Sequence, residues 1–99
     1  MDRVLLDLNN PVFQEDWFSL DRPEALAVLN TFKKIRQLNW EQLYRDPGLR
    51  WEAILSRSGP GNQKIYSLRI TRRVRAVAYR DGRFLRLLSL HSDHDSAYV

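Results

Sequence analysis

The sequence predicts an α+β domain in which two N-terminal helices pack on one face of a small twisted antiparallel sheet. Apolar residues recur every three or four positions in the first half, which is typical of helices. After Gly48 the apolar spacing changes to every second position, and an Asp81-Gly82 turn joins two apolar segments. We therefore expect one domain over residues 1–99, with the element order β-α-α-β-β-β.

Two helices are predicted before Gly48, each with one apolar face. The first extends over about residues 10–20. The second begins at Asp21, which can cap free N–H groups while the Glu24 carboxylate reaches back to the Asp21 backbone. Its apolar stripe, spaced at three and four positions, consists of Ala25, Val28, Leu29, Phe32, Ile35 and Leu38. A shorter helix is expected to follow over residues 39–45.

Period-two spacing predicts strands in the second half and an outer strand at residues 4–8. In the first strand of the second half, Leu49, Trp51, Ala53 and Leu55 are expected on one side and Arg50, Glu52 and Ile54 on the other. Residues 56–62 hold two glycines and a proline, which predict a loop without regular structure. The remaining strands are expected at about 64–70, 74–79 and 84–90, and the last two form a hairpin.

The composition excludes several kinds of site and location. The chain has no cysteine, so it has no disulfide, no thiolate zinc site and no thiol nucleophile. Its first residues hold too short an apolar stretch for a signal peptide, and no run is long enough to span a bilayer. We expect a soluble cytoplasmic protein with no membrane partner, no metal and no cofactor. The compact cluster His91, Asp93, His94 and Asp95 is interpreted as a polar tail rather than a metal site.

Positive charge is concentrated in the second half of the chain. Residues 1–48 hold six basic and eight acidic side chains, whereas residues 49–99 hold ten basic and four acidic ones. Nine of those ten basic residues are arginines, whose planar fork matches phosphate oxygens and stays charged at cellular pH. This pattern favours a nucleic-acid partner. The alternative is that the arginines keep the exposed face of a small sheet soluble.

The element order, the segment Gly48-Leu-Arg-Trp-Glu52 and above all Tyr66-Ser-Leu-Arg-Ile-Thr-Arg-Arg-Val-Arg-Ala-Val-Ala-Tyr79 resemble the RelE/ParE superfamily of bacterial toxins. In that superfamily an arginine-containing strand pair precedes a hairpin and an ending of the His-x-x-x-Tyr kind, here His94-Asp-Ser-Ala-Tyr98. The resemblance covers nearly the whole chain. It implies a RelE-like toxin of a type II toxin–antitoxin system, which cuts messenger RNA without a metal, commonly on the ribosome, and so inhibits translation.

The resemblance also implies roles for individual residues. Arg75 matches the arginine of the central strand and would stabilise charge on the phosphate. His94 and Tyr98 match the terminal pair that handles protons, and Glu52 stands where some members place a carboxylate as general base. The residues expected to hold RNA are Lys64, Arg69, Arg72, Arg73 and His91.

Several of these assignments have alternatives. His91 competes with His94 for proton transfer, since it ends the last predicted strand. Glu52 can form a structural ion pair with Arg50, and Tyr98 can dock on the core. Only Lys64 is available where some RelE-like toxins use two lysines, which favours a mechanism based on Glu, Arg, His and Tyr.

Two other functions remain open at this point. ParE-like members of the superfamily poison DNA gyrase without acid–base chemistry, and a third class would bind nucleic acid or a partner without cutting. In the toxin interpretation an acidic, partly disordered antitoxin covers the basic face over residues 69–75 or displaces residues 91–98. Association of toxin copies through the antitoxin complex is left open.

Overall fold

The structure, a computed structural model, describes residues 2–92. Its elements are β1 (Leu5–Asp7), α1 (Pro11–Phe18), α2 (Arg22–Ile35), α3 (Trp40–Arg45), β2 (Glu52–Ser58), a short 3-10 helix (Pro60–Asn62), β3 (Lys64–Arg69), β4 (Val74–Asp81) and β5 (Phe84–Ser92). The α+β class and the order of helices before the main strands are confirmed. The short segment after α2 is a third helix in its own right, capped by reciprocal hydrogen bonds between Asn39 and Gln42.

The five strands form one sheet in the order β1-β5-β4-β3-β2. The pairs β2–β3, β3–β4 and β4–β5 are antiparallel, as predicted. β1 is parallel to β5, with Leu5 opposite Phe84, so the sheet is mixed rather than antiparallel throughout. The chain leaves β1, covers one face of the sheet as helices, enters the sheet again at the far edge and returns strand by strand to lie beside β1.

The helices cover one face of the sheet, which we call the helix face; the other is the open face. Buried residues from all three helices pack against buried residues of the sheet. They are Phe13 from α1, Val28, Phe32 and Ile35 from α2, Trp40 and Leu43 from α3, and Leu68, Val74, Ala76, Ala78, Leu85, Leu87 and Leu90 from the strands. Two side-chain hydrogen bonds also join the helices to the sheet. The Thr31 hydroxyl donates to the Ile70 carbonyl at 2.6 Å, and the Trp40 indole N–H donates to the Arg83 carbonyl at 2.9 Å. No helix within residues 2–92 has the length and apolar character needed to cross a membrane.

The start of α2 has half of the predicted capping box. The Asp21 carboxylate accepts a hydrogen bond from the Glu24 backbone N–H at 2.9 Å. The Glu24 carboxylate does not return to Asp21 and instead lies 3.7 Å from Arg73 in the β3–β4 turn. The predicted role of Glu24 is therefore wrong, because the turn beside it supplies a charged partner.

The two faces of β2 are as predicted: Leu49 and Trp51 pack on the helix side, where Ala53 lies opposite Tyr66, and Glu52 lies on the open face opposite Ser67. Ile54 is 4% exposed and packs on the open face, whereas Leu55 is 91% exposed. The strand begins at Glu52 rather than at Leu49, because Arg50 has a positive φ of 51° and the chain turns there.

The segment after β2 has more structure than predicted. β2 continues to Ser58, and Pro60–Asn62 forms a 3-10 turn in which Gly61 has φ of 63°. Gly59 brings this turn against the open face, since a Cβ there would lie 2.4 Å from Ile65 Cγ2. Gly59, Pro60 and Gly61, which predicted an irregular loop, instead form a compact turn packed on the sheet.

Substitutions at Ile54 and Leu55 test the register of β2. Ile54→Ala should lower the free energy of unfolding by about 2–5 kcal/mol, because it removes a buried side chain and leaves a cavity. Leu55→Ala should change it by no more than about 0.5 kcal/mol, because that side chain is exposed. Urea unfolding followed by circular dichroism measures both, and equal losses at the two positions would contradict the register.

Candidate functional site

The central strand β4 directs core residues to the helix face and Arg75 to the open face. Val74, Ala76 and Ala78 have no exposed surface and lie in the core beneath the helices. Because successive side chains of a strand point to opposite faces, Arg75 and Val77 are directed to the open face. The core residues on β4 therefore fix the direction of Arg75.

Strand pairing places three nitrogen-bearing side chains in one row across the open face. Arg75 lies opposite Arg69 of β3 on one side and opposite His91 of β5 on the other. Neighbouring strands are separated by about 4.8 Å, so the row is about 10 Å wide. We call Arg69, Arg75 and His91 the arginine row. Like charges directly opposite each other in a sheet repel, so the row favours an anionic ligand that bridges its members.

A β-bulge decides that His91 belongs to this row. Between Asp81 and Ala78 the hairpin pairs regularly, with Ala78 opposite Leu87. The next pair joins Val77 to Ser89, so Leu88 is an extra residue in β5. If the strands instead paired regularly here, with Val77 opposite Leu88, Arg75 would lie opposite Leu90 and His91 would point to the helix face.

Arg75 carries an unused hydrogen-bond donor. Its side chain is half-buried, and its Nη1 nitrogen is buried without a hydrogen-bond partner within residues 2–92. A buried donor left without an acceptor typically costs about 1–3 kcal/mol. Such a group, in a row of like charges, suits an oxygen atom of a bound ligand better than a structural role.

The His91 imidazole is held by a neighbouring serine. Its Nε2 atom lies 2.9 Å from the Ser89 hydroxyl, two residues earlier on the same face of β5. This hydrogen bond fixes the ring orientation in the row. Of the two histidines proposed for proton transfer, His91 is thus placed beside Arg75, whereas His94 and its predicted partner Tyr98 lie outside the described residues.

Glu52 lies on the open face one row away from Arg75, opposite Ser67 of β3. Its carboxylate is half-exposed and lies 3.6 Å from the Arg50 guanidinium. Glu52 therefore forms the ion pair with Arg50 that was the alternative to a catalytic role. A role for Glu52 as general base stays a prediction.

The other predicted RNA-binding residues occupy two different ends of the sheet. Arg72 and Arg73 are exposed in the β3–β4 turn, next to the arginine row. The Thr71 hydroxyl shapes this turn by accepting hydrogen bonds from the N–H groups of Arg73 and Val74. Lys64 begins β3, about 16 Å along the strand from Arg69 at 3.3 Å per residue. Lys64 is thus not brought together with the row.

Two serines of the open face were missed by the sequence analysis. Ser67 is fully buried between Val77 and Glu52, and Ser89 holds His91. The alternation of Ile65, Ser67 and Arg69 in β3 was a usable signal for Ser67. Ser89 had no comparable signal, because its face depends on the bulge. Residues 2–92 contain no group of three or more His, Asp or Glu side chains placed to hold a metal ion.

Comparison with known proteins identifies the fold. The sequence matches no protein-family model and no curated protein. A chain of the archaeal RelE–RelB complex from Pyrococcus horikoshii OT3 superposes with a TM-score of 0.60 at 14% identity, covering 96% of this chain and 98% of that chain. A copper-bound mutant toxin from Helicobacter pylori superposes with a TM-score of 0.47 at 21% identity, covering 95% of this chain and 97% of that chain. The first similarity confirms the RelE-like toxin fold predicted from the sequence.

The unused donor on Arg75 predicts an unusual effect on stability. Arg75→Met should raise the free energy of unfolding by about 1 kcal/mol, because it removes a buried unpartnered group and a like charge opposite Arg69. Arg86→Met is the matched control and should lower it, because Arg86 pairs with Asp7 and Asp81. Denaturant unfolding measures both. A loss of stability in Arg75→Met equal to that in Arg86→Met would make Arg75 a structural residue.

Proposed function

We propose that the protein is the toxin of a type II toxin–antitoxin system and that it cuts messenger RNA on the arginine row. The observation that supports this proposal is the juxtaposition of Arg69, Arg75 and His91 on the open face of a RelE-like fold. Two guanidinium groups supply donors for phosphate oxygens, and an imidazole beside them can act as a general acid or base.

The proposed reaction is an attack of a ribose 2′-oxygen on the adjacent phosphorus. The bond from phosphorus to the 5′-oxygen breaks, leaving a 2′,3′-cyclic phosphate on one fragment and a 5′-hydroxyl on the other. Charge grows on the non-bridging phosphate oxygens in the transition state, where the Arg75 Nη1 donor and the Arg69 guanidinium can stabilise it. Since the nucleophile is part of the substrate, the reaction needs no metal-activated water.

Protons must leave the 2′-hydroxyl and reach the 5′-oxygen. We assign one of these transfers to His91, because it lies across from Arg75 and its ring is oriented by Ser89. Glu52, His94 and Tyr98 remain the candidates for the other transfer and for holding the ribose. Arg72 and Arg73, at the same end of the sheet, are placed to contact neighbouring phosphates.

We propose that the ribosome presents the messenger RNA to this face. Affinity for RNA comes mainly from neutralised phosphates, and the arginine row with its adjacent turn offers only a few cations. Because the arginine row lies on an uncovered face of the sheet, it is accessible to an RNA strand that the ribosome holds. The same accessibility would make binding of free RNA weaker than binding on the ribosome but still measurable.

We also propose an antitoxin partner, as in the RelE–RelB complex, and a surface for it on the helix layer. Along α2 the exposed side chains of Leu26 and Leu29 follow one another at helical spacing, and the exposed Phe18 of α1 lies beside them. Exposed apolar patches of this kind mark interaction sites. The grooves on either side of Leu29 contain basic residues and no carboxylate; their charged members are Arg22, Lys33 and Arg36. An acidic amphipathic helix fits this chemistry.

Induced expression of the wild type beside single variants tests the nuclease proposal. The wild type should arrest growth and generate new transcript 5′ ends within coding regions minutes after induction. Arg75→Ala should abolish these ends, and His91→Gln should slow cleavage about 10²–10⁴-fold, the usual contribution of a general acid or base. Arg45→Ala is the control, because Arg45 is exposed on α3 and paired with Glu41.

Three results would change the proposal. Arrest without new 5′ ends would indicate a gyrase-directed toxin, and the absence of arrest would indicate a binding module. Full activity in His91→Gln with loss in His94→Gln would move proton transfer to residue 94. Circular dichroism of each purified variant shows whether its fold is intact.

A variant that escapes neutralisation tests the antitoxin surface. Leu26→Glu should still arrest growth but should no longer be neutralised by the co-expressed cognate antitoxin, because the new carboxylate repels an acidic segment. Leu55→Glu makes the same change at an exposed leucine of β2, outside the grooves, and should be neutralised normally. Normal neutralisation of Leu26→Glu would exclude the α2 surface as the docking site.

A further inference from the structure

The open face carries a slot beyond the arginine row, toward the β4–β5 turn. Tyr79 of β4 and Leu88 of β5 form its floor, and its volume is about 300 Å³. Pro60 forms one wall, and Asn9 and Asn10, between β1 and α1, form the other. A flat ligand with polar edges fits such a shape.

Both walls are built by local features of the chain. The close approach of Gly59 to Ile65 holds the Pro60 turn over the sheet; a Cβ on Gly59 would also lie 3.8 Å from Leu88 Cδ1. On the other side, Asn10 caps α1 through its side-chain oxygen, which accepts from the N–H groups of Val12 and Phe13 at 2.8 and 3.3 Å. Both walls are therefore held in place by contacts within the chain.

The lining combines an aromatic ring with available hydrogen-bonding groups. The Tyr79 hydroxyl, the Asn9 side-chain amide and the Asn10 side-chain nitrogen form no hydrogen bond within residues 2–92. Arg86 also lines the slot, but it is paired with the carboxylates of Asp7 and Asp81. With its one cation neutralised in this way, the slot does not suit a phosphate.

We infer that this slot binds one nucleobase of the RNA strand whose phosphate occupies the arginine row. Bases stack on tyrosine rings, and side-chain amides match the paired donors and acceptors of a base edge. This inference rests on the proposed function, because it needs RNA on the open face. It adds a site that selects a base at a distance from the cut.

The spacing of the two sites fits one strand. Tyr79 follows Arg75 by four residues in β4, which corresponds to about 13 Å at 3.3 Å per residue. That distance covers at most about four stacked nucleotides at ~3.4 Å each, and fewer in an extended strand. The selected base therefore lies a few nucleotides from the phosphate that is cut.

Photo-crosslinking of RNA to the wild-type protein tests the site. The probe is a short fluorescent 2′-O-methyl RNA carrying 5-iodouridine, which lacks the nucleophilic hydroxyl and cannot be cut by the proposed reaction. We expect the crosslink, mapped by mass spectrometry, at Tyr79. Tyr44 is the internal control, because it is 47% exposed on the helix side, whereas Tyr79 is only half-exposed. A crosslink governed by exposure alone would form at Tyr44 and would overturn the inference.

Affinity measurements on matched variants complete the test. Tyr79→Leu keeps an apolar side chain but removes the stacking ring, and should weaken binding about 5–150-fold, the measured range for loss of one base–aromatic stack. Tyr79→Phe should keep the affinity within a few-fold, and Tyr44→Leu should not change it. Wild-type affinity in Tyr79→Leu, or no binding of the probe by the wild type, would overturn the site.

The outcome separates this inference from the proposed function. New transcript ends in cells, together with wild-type affinity in Tyr79→Leu, would retain the nuclease and remove the slot. Crosslinking at Tyr79 without transcript cleavage in cells would retain the slot and remove the nuclease.

Discussion

The alternation of side chains along β4 is the constraint on which the remaining structure depends. β4 is the middle strand of five, and its residues Val74, Ala76 and Ala78 are fully buried beneath the helices. Small and β-branched residues allow the helix layer to approach the sheet closely, so burial on this side fixes which side chains face away. Pairing on both sides of β4 then sets the neighbours of Arg75. The charged row is thus a consequence of core packing on the opposite face.

The edge strand β1 depends on a second set of contacts. Arg86 of β5 bridges Asp7 of β1 and Asp81 of the turn. The Asn9 backbone N–H donates to the Asp7 carboxylate, and this bond together with Arg86 holds the pKa of Asp7 below its ordinary value. Arg36 also donates to the Val4 carbonyl at 2.7 Å. These contacts hold the first strand against the last and keep Asn9 beside the slot.

The sequence predicted the fold class because each half of the chain has one clear period and clear stops. It placed the start of β2 three residues too early, since the positive φ of Arg50 delays the strand to Glu52 and nothing in a period count reveals a backbone dihedral. The parallel pairing of β1 with β5 joins Leu5 to Phe84 across the length of the fold and has no local signal. Arg75 was predicted as a site residue because it matches the central-strand arginine of the RelE/ParE superfamily. The position of His91 beside Arg75 could not be read from the sequence, because it depends on the bulge at Leu88.

That bulge has a consequence for comparing distant relatives. A related chain with the same residue types in its last strand but regular pairing at position 88 would place its histidine in the core and a leucine beside the arginine. An alignment that scores residue types without strand register would count the two chains as equivalent. For proteins of this fold, the presence or absence of a bulge in the last strand therefore decides which side chain lies beside the arginine, even where the residue types are the same.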